Sequence, residues 1–324
     1  MNCPFLYTNH MPTKIPILFI GTGAIGVPML RALAADKRFD VRLVVSQPDK
    51  PAGRKMELTP PPIKIAAQEL GLPVFQPAKI NIPETLDELR KYKPEMIVLM
   101  AYGKILKKEL LDIPPKGCIN VHASLLPYHR GASPIQDCLL TGDKKTGISI
   151  MRMDEGMDTG PVYATSEIPI ADDDNAITLS EKLANLTATK TPDVLAEIDS
   201  GKLKPKPQDD SKSTLCTLIK KEDGEIKWSE PAETILKKIR AYAGWPGTHT
   251  FWNGKRLKIL NAKRGNEGTK EQSGTVIQKD GDILVATGEG TIELLMVQME
   301  GKKAQPIDEF VRGYKDFVGS KLGN

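Results

Sequence analysis

The sequence predicts an α/β protein with a doubly wound N-terminal domain and a small C-terminal β-barrel domain. In the N-terminal part, short apolar runs alternate with segments of helical length, which is typical of a parallel sheet with helices on both faces. Near the C-terminus, several short strand-like runs follow one another closely, which indicates a small barrel. The length of 324 residues suits two domains.

Short apolar runs predict the strands of the first sheet, at residues 16–21, 41–46, 73–75, 96–101 and 118–122. Segments of helical length lie between them, at residues 24–35, 63–70, 83–91 and 104–111. Because helices separate these strands, we expect the strands to pair in parallel. From residue 147 the pattern changes, and it predicts strands at 147–153 and 162–170 and one long helix at 179–198.

The remaining chain is predicted to be a linker followed by β-structure. Residues 201–215 are rich in Lys, Pro, Asp and Ser, as in interdomain linkers. Asn253 and Gly254 separate two strand-like runs and predict a tight hairpin. Strands are predicted at 249–252, 257–261, 275–278, 283–286 and 291–299, and helices at 232–241 and 307–312. The domain prediction is a disordered leader at 1–13, an N-terminal domain at 14–200, a linker at 201–215 and a C-terminal domain at 216–324.

The composition restricts the class of protein and its compartment. Hydrophobic residues make up 40% of the chain and charged residues 27%, as in soluble globular proteins. No apolar run approaches the roughly 18 residues of a membrane helix. The four cysteines lie far apart without a C-x-x-C pair, which argues against a zinc site or a disulfide framework. We therefore expect a cytoplasmic protein with no metal and no membrane partner.

The charge of the chain is unevenly distributed. Residues 1–201 carry 23 Lys and Arg against 24 Asp and Glu, a net charge of −1, whereas residues 202–324 carry 22 against 17, a net charge of +5. A basic C-terminal part is compatible with a polyanionic partner, although charge alone favours a solvated lysine-rich surface. Its aromatic residues could stack on nucleic-acid bases or pack in a core. These are Tyr242, Trp245, Phe251 and Trp252.

The glycines of residues 21–26 fit the G-x-G-x-x-G pattern of a dinucleotide-binding turn. That function also needs an acidic residue at the end of the second strand, to bind the ribose. The next acid, Asp49, follows Pro48 in a loop. We therefore interpret the glycines as a tight strand-to-helix turn, and an NAD-dependent Rossmann oxidoreductase stays the less favoured alternative.

The pair Asn120 and His122 is the strongest indication of chemistry. Side chains alternate along a strand, so these two share one face, at the carboxyl end where open α/β sheets bind ligands. An amide can stabilise an oxyanion while an imidazole moves a proton, as acyl transfer requires. Asp158, in a glycine-flanked stretch, could orient the imidazole. From the residues alone, a structural role for the pair is as plausible as a catalytic one.

The run at residues 120–135 (NVHASLLPYHRGASPI) resembles the signature of folate-dependent formyltransferases. Residues 146–149 and 153–160 continue it at similar spacing. Within that superfamily the chain is most similar to the methionyl-tRNA formyltransferase family, because residues 47–54 (QPDKPAGR) resemble its inserted loop and 240–247 resemble the start of its second domain. The resemblance covers the chain from about residue 15 onward.

The resemblance implies a Rossmann-like catalytic domain, an OB-like C-terminal tRNA-binding domain and specific site residues. It makes Asn120, His122 and Asp158 the catalytic residues. It assigns 10-formyltetrahydrofolate as the co-substrate and methionyl initiator tRNA as the acceptor, with Arg54 contacting the tRNA. Nothing in the sequence demands an oligomer, so we expect a monomer. The residues that it implies for the folate site are Ser124, Leu125, Leu126, Pro127, Met100, Ala101, Tyr102 and Gly103.

The sequence also departs from the family pattern. Gly21-Thr22-Gly23 replaces the usual G-T-P turn, and the residues after Arg54 are less basic than the pattern. A formyltransferase for a small amine, such as a nucleotide sugar or a ribonucleotide, would share the three catalytic residues. Such an enzyme would not need the Arg54 loop or a basic second domain. This alternative therefore stays open on the sequence.

Overall fold

The computed structural model describes residues 14–52, 56–265 and 269–323. The predicted leader at 1–13 and the predicted tRNA contact Arg54 lie outside these residues. The chain divides into two compact units. Unit 1 comprises Met1–Arg130, Gly147–Glu167 and Glu181–Thr214, and unit 2 comprises Gly131–Thr146, Ile168–Ser180 and Leu215–Asn324. Two short segments from the middle of the sequence thus belong to the C-terminal unit. The domain boundaries given by the sequence remain a prediction.

The described strands and helices alternate along unit 1 and become mostly strands in unit 2. The strands are β1 Ile15–Gly21, β2 Phe39–Val45, β3 Lys50–Ala52, β4 Glu57–Thr59, β5 Val74–Phe75, β6 Met96–Met100, β7 Cys118–His122, β8 Arg130–Gly131, β9 Lys145–Arg152, β10 Val162–Pro169, β11 Leu215–Cys216, β12 Thr248–Trp252, β13 Lys255–Arg264, β14 Val276–Lys279, β15 Asp282–Ala286, β16 Thr291–Met299 and β17 Gln305–Pro306. The helices are α1 Val27–Ala35, α2 Pro62–Glu69, α3 Pro83–Lys91, α4 Lys108–Leu111, α5 Pro134–Thr141, α6 Ala176–Asp199, α7 Ala232–Ala241 and α8 Ile307–Gly313.

The first sheet has the strand order β10-β9-β7-β6-β1-β2-β5. Strand β1 pairs in parallel with β2 and β6, and parallel pairs also join β2 to β5 and β6 to β7. The fold class predicted from the alternation is therefore confirmed for these strands. Strand β9 pairs with β7 in the antiparallel direction, so the sheet is mixed at the edge beside β7.

The centre of this sheet is apolar on both faces. All five residues of β6 are buried, and Ile17, Leu18, Phe19 and Ile20 of β1 are fully buried. Burial on both faces is what continuous apolar runs predict for strands covered by helices on both sides. At the full-burial contribution of about 1.5–3 kcal/mol per large aliphatic side chain, this layer is a main source of stability for unit 1.

The glycine turn after β1 serves close packing. A side chain at Gly21 would place its Cβ 2.8 Å from the carbonyl oxygen of Met100, which is a backbone atom that cannot move aside. A short 3-10 turn, Ala24–Gly26, then leads into α1. Gly21 is therefore needed for steric reasons, which agrees with the interpretation of these glycines as a tight strand-to-helix turn.

Helix α4 is shorter than predicted. The apolar pattern predicts a helix over 104–111, but the observed helix is Lys108–Leu111. The side chain of Asn81 donates a hydrogen bond to the carbonyl oxygen of Ile105 (2.9 Å) and accepts one from the N–H of Lys107 (2.9 Å). These bonds hold 105–107 in a non-helical conformation, and Ile105 is 76% exposed. A contact 24 residues distant in sequence thus overrides the local pattern.

Unit 2 contains an antiparallel sheet in the order β12-β13-β16-β15-β14, with β17 beside β16. Strands β12 and β13 form the predicted hairpin, in which Trp252 pairs with Lys255. Asn253 and Gly254 have φ values of 49° and 71°. Positive φ at both central residues is the geometry of the turn that Asn-Gly sequences favour. This sheet confirms the prediction that the C-terminal part of the chain is mostly β-structure.

The core of unit 2 is built around Trp252. Its indole makes edge-to-face contacts with Phe310, Tyr314 and Phe317 at centroid distances of 5.2–6.0 Å. Trp252 is therefore a core residue rather than a platform for nucleic-acid bases. Tyr242, another of the aromatic residues considered for base stacking, is also buried. Trp245 remains 56% exposed. Within the described parts of the chain, no helix has the length and apolarity needed to cross a membrane.

Candidate active site

Strand β7 places two polar side chains at the carboxyl edge of the sheet. Ile119 and Val121 are buried in the core at 0% and 2% exposure, so Asn120 and His122 point to the other face of the strand. Asn120 is half-buried, and His122 is 6% exposed. The face shared by the pair follows from strand alternation, as predicted.

Asp158 reaches this pair from the loop between β9 and β10. Its backbone is left-handed, with φ at 54°, a conformation that is uncommon for residues other than glycine. Two residues later, a side chain at Gly160 would collide with the carbonyl oxygen of Arg152. The loop therefore returns tightly against the end of β9, and this close return brings Asp158 back to β7.

The three predicted catalytic residues lie within contact distance. The amide nitrogen of Asn120 donates to Oδ1 of Asp158 at 3.4 Å, and Nδ1 of His122 lies 3.5 Å from Oδ2 of Asp158. The side chains of His122 and Asp158 are 7% and 16% exposed. One carboxylate thus faces both partners from a partly desolvated position, where its electrostatic effect on the imidazole is stronger than in water.

The other nitrogen of the imidazole faces a backbone carbonyl. Nε2 of His122 lies 2.9 Å from the carbonyl oxygen of His129. Because a carbonyl oxygen can only accept, this contact requires a proton on Nε2. Nδ1 lies farther, 3.5 Å, from the carboxylate of Asp158, which also only accepts, so a neutral ring protonated at Nε2 keeps the shorter of the two contacts. His129 has a left-handed backbone with φ at 55°.

Residues 124–128 form a loop that is fixed from β9. The hydroxyl of Ser149 donates to the carbonyl oxygen of Ser124 (2.7 Å) and accepts from the N–H of Leu126 (2.9 Å). Ser124 is fully buried, and its own hydroxyl donates to the carbonyl oxygen of Tyr128 (2.7 Å). Of the segment expected to line the folate site, Leu125 and Pro127 are half-buried, whereas Ser124 and Leu126 are buried.

The loop after β6 lies at the same edge of the sheet, since β6 and β7 are parallel neighbours. Ala101 has φ at 49°, and its carbonyl oxygen accepts from the N–H groups of Thr22 (3.2 Å) and Gly23 (3.3 Å). Tyr102 is buried, and its burial raises the pKa of its hydroxyl to about 12. In this predicted folate loop, Ala101 and Gly103 are exposed, whereas Met100 and Tyr102 are buried.

Asp49, the acid nearest the end of β2, is already engaged. Its carboxylate accepts hydrogen bonds from Lys64 (2.7 and 2.9 Å) and Gln76 (2.8 Å). The hydrogen bond from the Lys64 ammonium is the main cause that lowers the pKa of this carboxyl. Asp49 therefore has a structural partner, which weakens the alternative in which an acid here binds a ribose.

The structure adds residues that motif spacing did not indicate. Ser149, Gln208 and Thr214 all hydrogen-bond to backbone near the three predicted catalytic residues. Ser149 is the partner of His122 in the β7–β9 register, so alternation on β9 could have pointed to it. Gln208 and Thr214 lie in the segment whose composition predicts a linker, and nothing in the sequence marked them.

The described residues contain no group of three or more His, Cys, Asp or Glu side chains that could hold a metal ion. The described cysteines are Cys118, Cys138 and Cys216, each buried with a free thiol. Burial is the main cause that raises the pKa of the Cys138 thiol to about 12, so this thiol stays protonated.

Comparison with known proteins gives matches along most of the chain. The model of the formyl transferase family matches residues 13–195, and the model of the formyl transferase C-terminal domain matches residues 218–315. The methionyl-tRNA formyltransferase of Geotalea daltonii is 41% identical over 95% of this chain and 98% of its own length. That of Caldanaerobacter subterraneus subsp. tengcongensis is 43% identical over 94% and 99%.

Solved structures share the fold at lower identity. An N-formyltransferase from Helicobacter canadensis, in complex with folinic acid and dTDP-3-aminofucose, has a TM-score of 0.64 and 17% identity, covering 88% of this chain and all of the other. HypX from Aquifex aeolicus, in complex with tetrahydrofolic acid, has a TM-score of 0.63 and 15% identity, covering 94% of this chain and 48% of the other.

An amide donor, an imidazole and a carboxylate at the carboxyl edge of a parallel strand define a site of the acyl-transfer class. The family matches make the class more specific, because they span both halves of the chain. The chain belongs to the formyl transferase family, in the group of methionyl-tRNA formyltransferases.

Proposed function

We propose that this chain transfers the formyl group of 10-formyltetrahydrofolate to the amino group of methionyl initiator tRNA. The observation that carries the chemistry is the convergence of Asn120, His122 and Asp158 within 3.5 Å contacts. The acceptor is inferred from the full-length similarity to methionyl-tRNA formyltransferases. The predicted roles of the three residues are part of this proposal.

Asn120 supplies the hydrogen bond to the oxygen of the carbonyl that is attacked. Its side-chain amide has two N–H donors, one of which faces Asp158 at 3.4 Å. The second can point at an oxygen that becomes negatively charged as the amine adds to the formyl carbon. A donor preorganised in a partly buried site stabilises that charge more than water does.

His122 holds the proton that the attacking amine gives up. The net reaction moves one proton from this amine to the nitrogen that loses the formyl group. With Nε2 protonated toward His129, Nδ1 is the atom that takes up or returns this proton. Asp158 lies 3.5 Å from Nδ1 and stabilises the imidazolium while the proton is held there.

The formyl donor fits the loops that meet at this edge. Leu125 and Pro127 offer half-buried apolar surface, and Ala101 and Gly103 offer exposed backbone, which suits a flat ring with polar edges. We assign the predicted segments Met100–Gly103 and Ser124–Pro127 to this role, with Met100, Tyr102, Ser124 and Leu126 packed behind the accessible residues. The bound donor supplies the activated formyl group, and these residues orient it.

We also propose that the protein is cytoplasmic and acts as a monomer. Buried free thiols at Cys118, Cys138 and Cys216 suit the reducing cytoplasm, where initiator tRNA is charged. The three catalytic side chains all belong to unit 1 of a single chain. A monomer is therefore sufficient for the reaction.

The decisive experiment measures formylation of charged acceptors by the purified chain with 10-formyltetrahydrofolate. We expect formyl-methionyl initiator tRNA to form, and a charged elongator tRNA to react much more slowly. A nucleotide-linked amino sugar, a ribonucleotide amine and an NADH titration serve as comparison arms. Formylation of a small amine without use of the tRNA, or saturable NADH binding with no transfer, contradicts the proposal.

A further inference from the structure

Residues 208–214, within the predicted linker, hydrogen-bond to the backbone on both sides of His122. We call this stretch the clamp segment. At one end, Gln208 binds the stretch that carries Asp158. At the other end, Thr214 binds the stretch that carries His129, whose carbonyl faces the imidazole of His122. All of these residues belong to unit 1.

The amide of Gln208 uses its full hydrogen-bonding capacity. Its nitrogen donates to the carbonyl oxygens of Asp158 (2.8 Å) and Gly160 (2.7 Å). Its oxygen accepts from Nε (3.1 Å) and Nη2 (2.8 Å) of Arg130. Because a guanidinium only donates and carbonyls only accept, one orientation of the amide satisfies all four contacts. A single side chain therefore links the Asp158 loop to the strand that follows His129.

Arg130 is the buried partner in this link. The residue is 5% exposed, and its guanidinium also pairs with Asp210 of the clamp segment at 2.7 Å. A buried guanidinium needs partners for its N–H groups, since an unpaired buried charge destabilises the fold strongly. The clamp segment supplies partners through Gln208 and Asp210. The side chain next to His129 is thus fixed by the same stretch of chain that fixes Asp158.

Thr214 orients the two peptide groups that flank His129. Its hydroxyl accepts from the N–H of His129 (2.8 Å), and its carbonyl oxygen accepts from the N–H of Arg130 (2.9 Å). The N–H of Arg130 belongs to the same peptide group as the carbonyl of His129. Holding one side of this peptide plane directs its oxygen at Nε2 of His122, 2.9 Å away.

Both anchored residues have an uncommon backbone conformation. Asp158 and His129 have φ values of 54° and 55°, in the left-handed region that residues with a side chain rarely adopt, because Cβ there approaches the following carbonyl oxygen. Such conformations persist where the surroundings enforce them, and they are concentrated at functional sites. The clamp segment anchors both residues: the carbonyl oxygen of Asp158 accepts a hydrogen bond from Gln208, and the N–H of His129 donates one to Thr214.

We propose that Gln208 and Thr214 are positioning residues, which set the geometry of Asp158 and the tautomer of His122 without contacting substrate. The inference rests on the proposed function for its kinetic consequence, and on the structure alone for the tautomer. Gln208 keeps the carboxylate of Asp158 at Nδ1, and Thr214 keeps the carbonyl of His129 at Nε2. Of the clamp segment, these two side chains act on the catalytic residues.

The kinetic test compares two substitutions of Gln208. Gln208→Met removes all four hydrogen bonds at similar volume. Gln208→Glu keeps an acceptor for Arg130 but turns an oxygen toward the carbonyls of Asp158 and Gly160. Both should lower kcat by about 10–100-fold with both KM values within about twofold, because misplacement of a catalytic group affects the chemical step. Ser211→Ala is the control, since among the residues that the structure describes the Ser211 hydroxyl bonds only to Asp209 of the same stretch.

The spectroscopic test needs no substrate. The chain has four histidines, so His122 can be assigned in ¹⁵N-histidine spectra by its loss in His122→Asn. The wild type and Thr214→Ser should show the tautomer protonated at Nε2 at alkaline pH. Thr214→Val keeps the backbone bond to the N–H of Arg130 but removes the acceptor for the N–H of His129. With one of the two anchors of His129 lost, its carbonyl should turn away from Nε2 in part of the population, which would be seen as a mixture of tautomers. Circular dichroism establishes that each variant is folded.

The inference is overturned by Gln208 variants with kcat within about twofold of the wild type, or by an unchanged tautomer in Thr214→Val. A preferential rise in KM would also contradict it, because it would place Gln208 in substrate binding. Failure of the proposed function is seen separately, as an absence of formyl transfer by the wild type. In that case the tautomer measurement still decides whether Thr214 positions His122.

Discussion

At the scale of single residues, the site depends on which atoms face each other rather than on which residue types are present. Asn120 and His122 are brought together by strand alternation alone, whereas Asp158 requires a left-handed backbone and the tight return at Gly160. The carbonyl of His129 then determines which nitrogen of the imidazole is protonated. The direction of each polar atom is therefore as important to the chemistry as its presence.

Asn120→Ala should lower kcat by about 10²–10³-fold, the usual effect of removing one oxyanion donor. The fold should be retained, since Asn120 is half-buried and its contact to Asp158 is long, at 3.4 Å. Steady-state formylation kinetics and a thermal melt measure the two quantities together. A loss of less than threefold in a folded variant would remove Asn120 from the oxyanion role.

The sequence predicted three residues of this site and missed the two that hold them in place. Alternation on β7 predicted the shared face of Asn120 and His122, and the resemblance pointed to Asp158. Nothing local could predict that Gln208 and Thr214 contact the same loops, because hydrogen bonds between segments 48–85 residues apart leave no periodic pattern. A side chain that bonds to backbone can act at any sequence distance.

At the scale of elements, local pattern predicted which segments form strands and helices better than it predicted where they end. The hairpin at Asn253 and Gly254 has its own turn chemistry, so its geometry could be predicted. The start of α4 could not, because the side chain of Asn81 occupies backbone groups of residues 105 and 107. Element boundaries are decided by such contacts, whereas element type follows from periodicity.

The pairing of β7 with β9 carries a prediction for Ser149, which is fully buried opposite His122. Ser149→Ala leaves the N–H of Leu126 without its acceptor, which should cost about 1–3 kcal/mol. A loss of that size should lower the Tm by several degrees. Because the loop at 124–128 would loosen, KM for the formyl donor should also rise.

Thermal melts and donor titrations measure these two effects. Ser200→Ala is the control, since the hydroxyl of Ser200 is exposed and bonds only to the preceding helical turn. An unchanged Tm together with an unchanged KM would show that the bonds from Ser149 contribute nothing to the loop.

At the scale of the whole molecule, the distribution of charge bears on how the chain binds its two substrates. The N-terminal 201 residues have a net charge of −1, and the remaining 123 have a net charge of +5. A phosphate backbone bound by cations releases counterions, so binding weakens as salt rises. The binding of a small folate depends much less on contacts between cations and phosphate groups. The two substrates should therefore respond differently to ionic strength.

KM for initiator tRNA should rise with salt, while KM for 10-formyltetrahydrofolate should change little. Arg54, predicted from the resemblance to contact the tRNA, provides the sharper test. Arg54→Ala should raise KM for tRNA at low salt and leave donor binding unchanged. The gap between variant and wild type should narrow as salt rises, because the slope of log affinity against log salt falls by about 0.7–0.9 per lost phosphate contact. Equal salt slopes in both proteins would show that Arg54 makes no phosphate contact, and that the cations of residues 202–324 carry the salt dependence.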